Sequence, residues 1–128
     1  MDAVTWGSCL CGAVSYQVST ALKAATHCHC KKCQKSHGAA FATYASAPKS
    51  AVSISAIPDT LKSYESSKGV TRQFCSNCGS SLFWSDAKGL YPDWISIALG
   101  TLDTPFHPTN QKHSCIEFKA TWFCGELK

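Results

Sequence analysis

The chain is 128 residues long, 45% hydrophobic and 16% charged, with a formal net charge of +4. A chain of this size can bury roughly two thirds of its unfolded surface in a core of its own, and no Pro/Gly/Ser-rich stretch divides it, so residues 1–128 read as a single domain. No apolar run is long enough to span a bilayer as a helix, the lysines are scattered apart from Lys31, Lys32 and Lys35, and Met1 to Gly7 lack the marks of a secretory signal, so no membrane and no nucleic-acid partner is expected and the expected location is cytoplasmic.

In chain order, the first feature is Cys9-Leu10-Cys11, set in a turn between Gly7 and Gly12. Val14, Tyr16 and Val18 then alternate with Ser15 and Gln17, the period of a half-buried strand, which predicts a strand over 13–18. The second cluster is Cys28-His29-Cys30-Lys31-Lys32-Cys33, and from Cys30 to His37 the residues tolerate a helical turn or two ended by Gly38. Short strands are predicted over 41–45, 52–56, 61–64 and 71–74, the last running into a third cluster, Cys75-Ser76-Asn77-Cys78-Gly79. Further strands are predicted over 81–84, 94–99 and 115–118. The pattern predicts a mainly β fold, a small antiparallel two-sheet architecture stapled by zinc at its turns, with a short helical turn after the cysteine triad.

Seven of the nine cysteines lie in these clusters. An odd total fits a disulfide framework poorly, and thiols at such spacings in a reducing compartment point to metal. Cys75 and Cys78, two residues intervening and glycine following, have the form of a zinc knuckle that needs two further ligands, which Cys9 and Cys11 can supply. Cys28, Cys30 and Cys33 can grip an ion unaided. Four thiolates close a tetrahedral site, whereas three leave a position for water or substrate. Spacing leaves two other allotments open: the triad joined by a member of another cluster, or by Cys115, which lies close to His113. Otherwise Cys115 and Cys124 are expected as small buried hydrophobes. Seven thiolates around two zinc ions contribute −3, so the formal +4 falls to +1 and the basic balance largely disappears.

The runs GSCLCGAV at 7–14, HCHCKKCQKSHG at 27–38 and RQFCSNCGSSLF at 72–83, with Gly100-Thr101-Leu102-Asp103, His113 and Trp122 after them, resemble the glutathione-dependent formaldehyde-activating enzyme family, which also contains centromere protein V. The similarity covers nearly the whole chain in three ordered motifs. It implies a zinc-stapled β fold and carbon-sulfur lyase chemistry on glutathione adducts. It also implies two zinc ions per chain, a structural one on Cys9, Cys11, Cys75 and Cys78 and a catalytic one on Cys28, Cys30 and Cys33.

A three-thiolate zinc site suits a soft ligand such as sulfur, and a thiol bound there loses its proton readily. Making or breaking the carbon-sulfur bond then calls for a general acid/base. His37, four residues after Cys33, is the first candidate, its imidazole being available in neutral form near pH 7; His27 and His113 are alternatives, and His29, between two ligands, is expected to point away. Glutathione carries two carboxylates, for which Arg72 offers a bidentate fork and Lys35 or Lys32 a point charge. Phe41, Tyr44, Phe83 and Trp84 are expected to wall the pocket or fill the core. No dinucleotide fingerprint is present. The alternative to an enzyme is a zinc module that binds a protein or chromatin partner, which would expect a long basic extension.

Overall fold

The structure, a computed structural model, describes residues 4–125. Ten strands and one α-helix follow in the order β1 (Thr5–Ser8), β2 (Val14–Val18), β3 (Ala24–Cys28), α1 (Lys31–His37), β4 (Ala42–Pro48), β5 (Val52–Ala56), β6 (Leu61–Ser67), β7 (Val70–Cys75), β8 (Ser81–Asp86), β9 (Trp94–Ala98) and β10 (Asn110–Ser114), with short 3₁₀ turns at Lys49–Ala51, Leu99–Thr101 and Ile116–Phe118. The fold is mainly β in two sheets, as the sequence pattern predicts. The smaller has the order β1-β2-β5 and the larger β10-β3-β4-β9-β8-β7-β6. Every pairing is antiparallel except β10 with β3, which is parallel.

The alternation in β2 is a burial pattern: Val14, Tyr16 and Val18 are buried while Ser15 and Gln17 are only half so. These three side chains pack onto Ala45 and Ala47 of β4, Leu82 and Phe83 of β8, and Ile95 and Ile97 of β9 to form the main core between the sheets. Tyr16 meets Phe83 edge to face, with ring centroids 5.3 Å apart, a favoured aromatic geometry. Leu82 and Phe83 are consecutive yet both buried. The register shift that pairs Gln73 with Phe83 but Phe74 with Ser81 makes Leu82 the extra residue of a β-bulge, which turns it inward.

The large sheet has a second use for its opposite face. On β4, Ala45 and Ala47 face the core, and Ala42 and Tyr44 point the other way, into a smaller cluster with Cys33 and Ala98 that Cys28, Cys30 and Trp84 border. Register carries this face outward along the sheet, through the opposed pairs Ser46 with Ser96, Ser96 with Trp84, and Trp84 with Arg72. Helix α1 packs on β4. It begins at Cys30, whose sulfur accepts from the Cys33 amide, and stops at Gly38, whose left-handed φ of 60° closes the C-terminus as the sequence predicts.

Four segments differ from expectation. Strands β1, β3 and β10 have no signal in the sequence: β1 is short and contains Gly7, β3 is alanine-rich, and β10 reads Asn-Gln-Lys-His-Ser with no apolar period. Pairing with a neighbour holds them extended. The strand predicted over 115–118 is instead a 3₁₀ turn entered by Cys115 at φ 57°, with Ile116 and Phe118 exposed; its apolar residues mimic a strand and bury little.

Ile97, fully buried between the sheets, should lose about 2–5 kcal/mol of stability when replaced by alanine. Leu90→Ala, at a site 91% exposed, should change stability by no more than about 0.5 kcal/mol. Urea unfolding of both variants beside the parent chain checks the contrast, and comparable losses would contradict this placement of the core.

Candidate functional site

Two turns from different sheets bring four cysteines together. Cys9 and Cys11 occupy the turn between β1 and β2, Cys75 ends β7, and Cys78 lies in the turn before β8. Gly12 (φ 83°) and Gly79 (φ 82°) take left-handed conformations that let both turns fold back tightly. The four sulfurs lie within 4.8 Å of one another, with Cys9 to Cys11 at 3.6 Å and Cys11 to Cys75 at 3.8 Å. A tetrahedral ion with metal-sulfur bonds near 2.3 Å requires edges of about 3.8 Å, so the cluster fits such an ion without rearrangement. The Val14 amide donates to Cys9 Sγ at 3.3 Å and Asn77 Nδ2 to Cys11 Sγ at 3.2 Å. The Asn77 amide lowers the Cys11 pKa, and the Ser80 hydroxyl, helped by its backbone amide, brings Cys78 down to about 5. Thiolate, the form that binds metal, is thereby favoured at Cys11 and Cys78, whereas burial and the hydrogen bonds of Cys78 and Cys9 push Cys75 up to about 11.

The second cluster is local. Cys28 ends β3, Cys30 caps α1 and Cys33 lies in its first turn. Cys28 Sγ is 3.6 Å from Cys30 Sγ and 3.2 Å from Cys33 Sγ. The hydrogen bond from Cys33 pulls the Cys28 pKa down to about 4, and that same bond, with burial, pushes Cys33 up. Thiolates this close repel by about 4–5 kcal/mol per pair at an effective dielectric of 20. The three sulfurs therefore need either a shared proton or a cation, and their chemistry suits a soft or borderline metal.

The loop bearing the triad is braced from behind. Gln34, which is buried, donates through Nε2 to His29 O at 2.7 Å and Phe118 O at 2.9 Å. His29 is fully buried and turned to His113, with 2.8 Å between Nε2 and Nδ1. His27 is taken up by Thr43 and Gln111, each at 2.9 Å, and the three imidazoles pack among themselves and Phe41. Cys115 is half-buried beside the triad, its thiol raised by burial and by the charge of Cys28 and Cys30, but it is not among the sulfurs that converge. The allotment that joins the triad to another cluster is not the one the structure makes. Cys124, expected as a buried hydrophobe, is exposed.

Beside the triad a cavity of about 660 Å³ is lined by Lys32, Lys35, His37, Tyr44, Arg72 and Phe74, among others. The residues singled out by sequence, His37, Lys35 and Arg72, thus line one cavity. A chain of contacts links this cavity to the sulfurs: His37 Nε2 lies 3.0 Å from Tyr44 Oη, Arg72 Nη1 donates to that oxygen at 3.3 Å, and Arg72 Nη2 points to Cys33 Sγ at 3.7 Å. Arg72 Nε donates to Ser66 Oγ at 2.9 Å. Burial, then the guanidinium charge, lowers the His37 pKa; burial, then the charge of Cys33, raises that of Tyr44. Sequence reasoning missed the Tyr44 hydroxyl and Gln34. A signal for the first existed in the alternation of β4, where Tyr44 falls on the opposite pleat from Ala45 and Ala47.

A model of the family described as glutathione-dependent formaldehyde-activating enzyme matches residues 4–123. The chain belongs to that family. Its relatives include an uncharacterized lyase of Schizosaccharomyces pombe, 29% identical over 93 residues, which are 73% of this chain and 66% of the relative. A Fusarium vanettenii protein provisionally named a glutathione-dependent formaldehyde-activating enzyme is 35% identical over 77 residues, 59% of this chain and 41% of its own length. The matches thus span less than two thirds of either relative. A crystal structure of a Rhodobacter sphaeroides protein superposes with a TM-score of 0.65 at 21% identity, covering 84% of this chain and 99% of that one, and so shares the fold. Among the described residues of this family member, no helix is long and apolar enough to cross a membrane.

Metal analysis of the purified chain should find two ions, and substitution should separate them. Cys78→Ser removes one of four sulfurs that converge from the two sheets and should cost both an ion and the cooperative unfolding transition, since a structural zinc held there would contribute about 10–16 kcal/mol. Cys30→Ser should cost one ion and leave the near-UV circular dichroism of the core intact. A folded Cys78→Ser protein with both ions would refute the first cluster as a staple.

Proposed function

We propose that this chain is a zinc-dependent carbon-sulfur lyase that breaks or forms the bond between a thiol sulfur, that of glutathione in the first instance, and an oxygen-bearing carbon. The observation that carries this reading is the three-sulfur cluster with a cationic cavity beside it, linked through Arg72 and Tyr44. Membership of the family and the lyase and glutathione names of its relatives support it. On this reading Cys9, Cys11, Cys75 and Cys78 hold a structural zinc and Cys28, Cys30 and Cys33 a catalytic one. Zinc at the triad, having only three protein ligands, would supply a Lewis acid with a position open to an outside sulfur.

The chain's own residues perform the rest. Lys35 and Lys32, on the helix face that lines the cavity, attract the two carboxylates of glutathione, with the charge of Arg72 behind them. The pair formed by His37 and Tyr44 holds a proton at the cavity wall. In the cleavage direction the hydroxyl of the adduct gives its proton to His37, the electron pair left on oxygen becomes the second bond of a carbonyl, and the carbon-sulfur bond breaks with its pair on sulfur. The same atoms in reverse form the adduct. Because burial and Arg72 hold the His37 pKa below 6.5, the ring is neutral above that pH and ready to accept.

Incubating the zinc-loaded protein with a glutathione-aldehyde adduct, and following adduct absorbance and free thiol, tests the proposal. The rate should be constant near neutrality and fall as pH drops through a value below 6.5. His37→Ala should abolish that acid limb and lower kcat by about 10²–10⁴. Lys35→Ala, at an exposed position, should raise KM about two- to five-fold with kcat little changed. A protein whose two ions are inert to every added thiol, with no turnover of any adduct, would instead be a closed binding module.

A further inference from the structure

Arg72 is only 8% exposed, on β7 between β8 and the edge strand β6, and a guanidinium stays protonated in any protein environment. Such a charge is costly to bury unless it is paired. Among the described residues its donors find two neutral oxygens, Ser66 Oγ and Tyr44 Oη, and one sulfur, Cys33 Sγ. The hydroxyls fix the direction of the fork but cannot offset its charge. The compensation must come from the sulfur cluster. Three thiolates and a divalent cation would sum to −1, and one guanidinium brings the assembly to zero.

We propose that Arg72 is a positioning residue for the triad's metal: its guanidinium, aimed by Ser66 and Tyr44, neutralises the excess thiolate charge and draws electron density from Cys33, so that the ion is both retained and kept acidic enough to accept an outside sulfur. This rests on the function proposed above for the triad. The geometry has a further consequence, because Tyr44 Oη is shared between Arg72 and His37. The residue that tunes the metal is thereby two contacts from the one that moves the proton, and a substrate in the cavity meets both. The role goes beyond holding carboxylates: a fork that reaches Tyr44 and Cys33 at once is a geometry that lysine cannot reproduce.

The test uses the full chain loaded with zinc, and then with cobalt. With a chromogenic chelator, Arg72→Met should release one of its two zinc ions at about 10- to 100-fold lower chelator concentration than the parent chain, the range found for partners that hydrogen-bond to metal ligands, while the second ion is unaffected. Arg72→Lys, which keeps the charge but not the fork, should fall between the two. In the cobalt protein, loss of the donor to Cys33 should move the thiolate-to-metal charge-transfer band to longer wavelength in Arg72→Met and less so in Arg72→Lys. Should Arg72→Met fail to fold, Ser66→Ala and Tyr44→Phe each release one anchor of the guanidinium and should shift the same band in the same direction. A folded Arg72→Met protein with unchanged ion retention and an unmoved band overturns the inference, as do Ser66→Ala and Tyr44→Phe proteins whose bands stay in place. Neither readout contains glutathione, so a chain inactive on every adduct but with Arg72-dependent metal retention loses the lyase reading and keeps this one.

Discussion

Four sulfurs from two turns, one in each sheet, meet at a point, and the arrangement of the two sheets depends on that meeting. Cys9 and Cys11 belong to the turn of the small sheet, Cys75 and Cys78 to a turn of the large one. The small sheet has three short strands, and its outer strand β5 is largely exposed, so burial alone gives it a modest hold on its partner. A tetrahedral ion held between the two turns, as proposed, would close a loop of more than sixty residues in one step, with a binding energy comparable to the entire stability of a small domain. Buried sulfurs such as Cys9 and Cys75 are at once ligands and members of the hydrophobic core, so the staple and the core are one continuous body.

With the sheets fixed, the large one is free to use both faces. Its strands present Ala45, Ala47, Ile95 and Ile97 to the small sheet, and the opposite pleat presents Tyr44, Trp84 and Arg72 to helix α1 and the triad. Period-two alternation thus divides one sheet between stability and chemistry. The helix is too short to be stable alone. It persists because Cys30 caps its start, Gly38 closes its end and Gln34 ties its loop to the backbone at His29 and Phe118. The triad is accordingly preorganised by polar contacts behind it as well as by any ion within it.

Electrostatics then distinguishes the two cysteine clusters. At the first, neutral donors, the Asn77 amide at Cys11 and the Ser80 hydroxyl at Cys78, favour the thiolate form. At the second, a full positive charge approaches one sulfur from within the protein. A closed, four-sulfur site has no need of such a partner, since its ligands already satisfy the coordination shell and the remaining charge is stabilised by amides and water. On the proposed reading the three-sulfur site has more to gain from one, because its ion would have to remain acidic toward a further ligand while lacking the fourth donor that would hold it in place.

What could be read directly from the order of residues is local. The spacing of each cysteine cluster, the glycines that let the knuckle turns fold back, the alternation of β2 and the stop at Gly38 are all statements about residues a few positions apart, and such neighbours are held together by the covalent chain whatever the rest of the molecule does. Features that depend on distant pairing emerge with the folded chain alone. Strands β3 and β10 carry no apolar period, and their extended form comes from backbone hydrogen bonds to each other and to β4, which no single segment encodes. The same holds for Arg72: from its sequence neighbours it is a strand cation free to bind a carboxylate, and it is the pairing of β7 with β8, and of β8 with β9, that carries it to Tyr44 and Cys33. A side chain's residue type sets which bonds it can make, but the partner it meets is chosen by the register of strands many residues away.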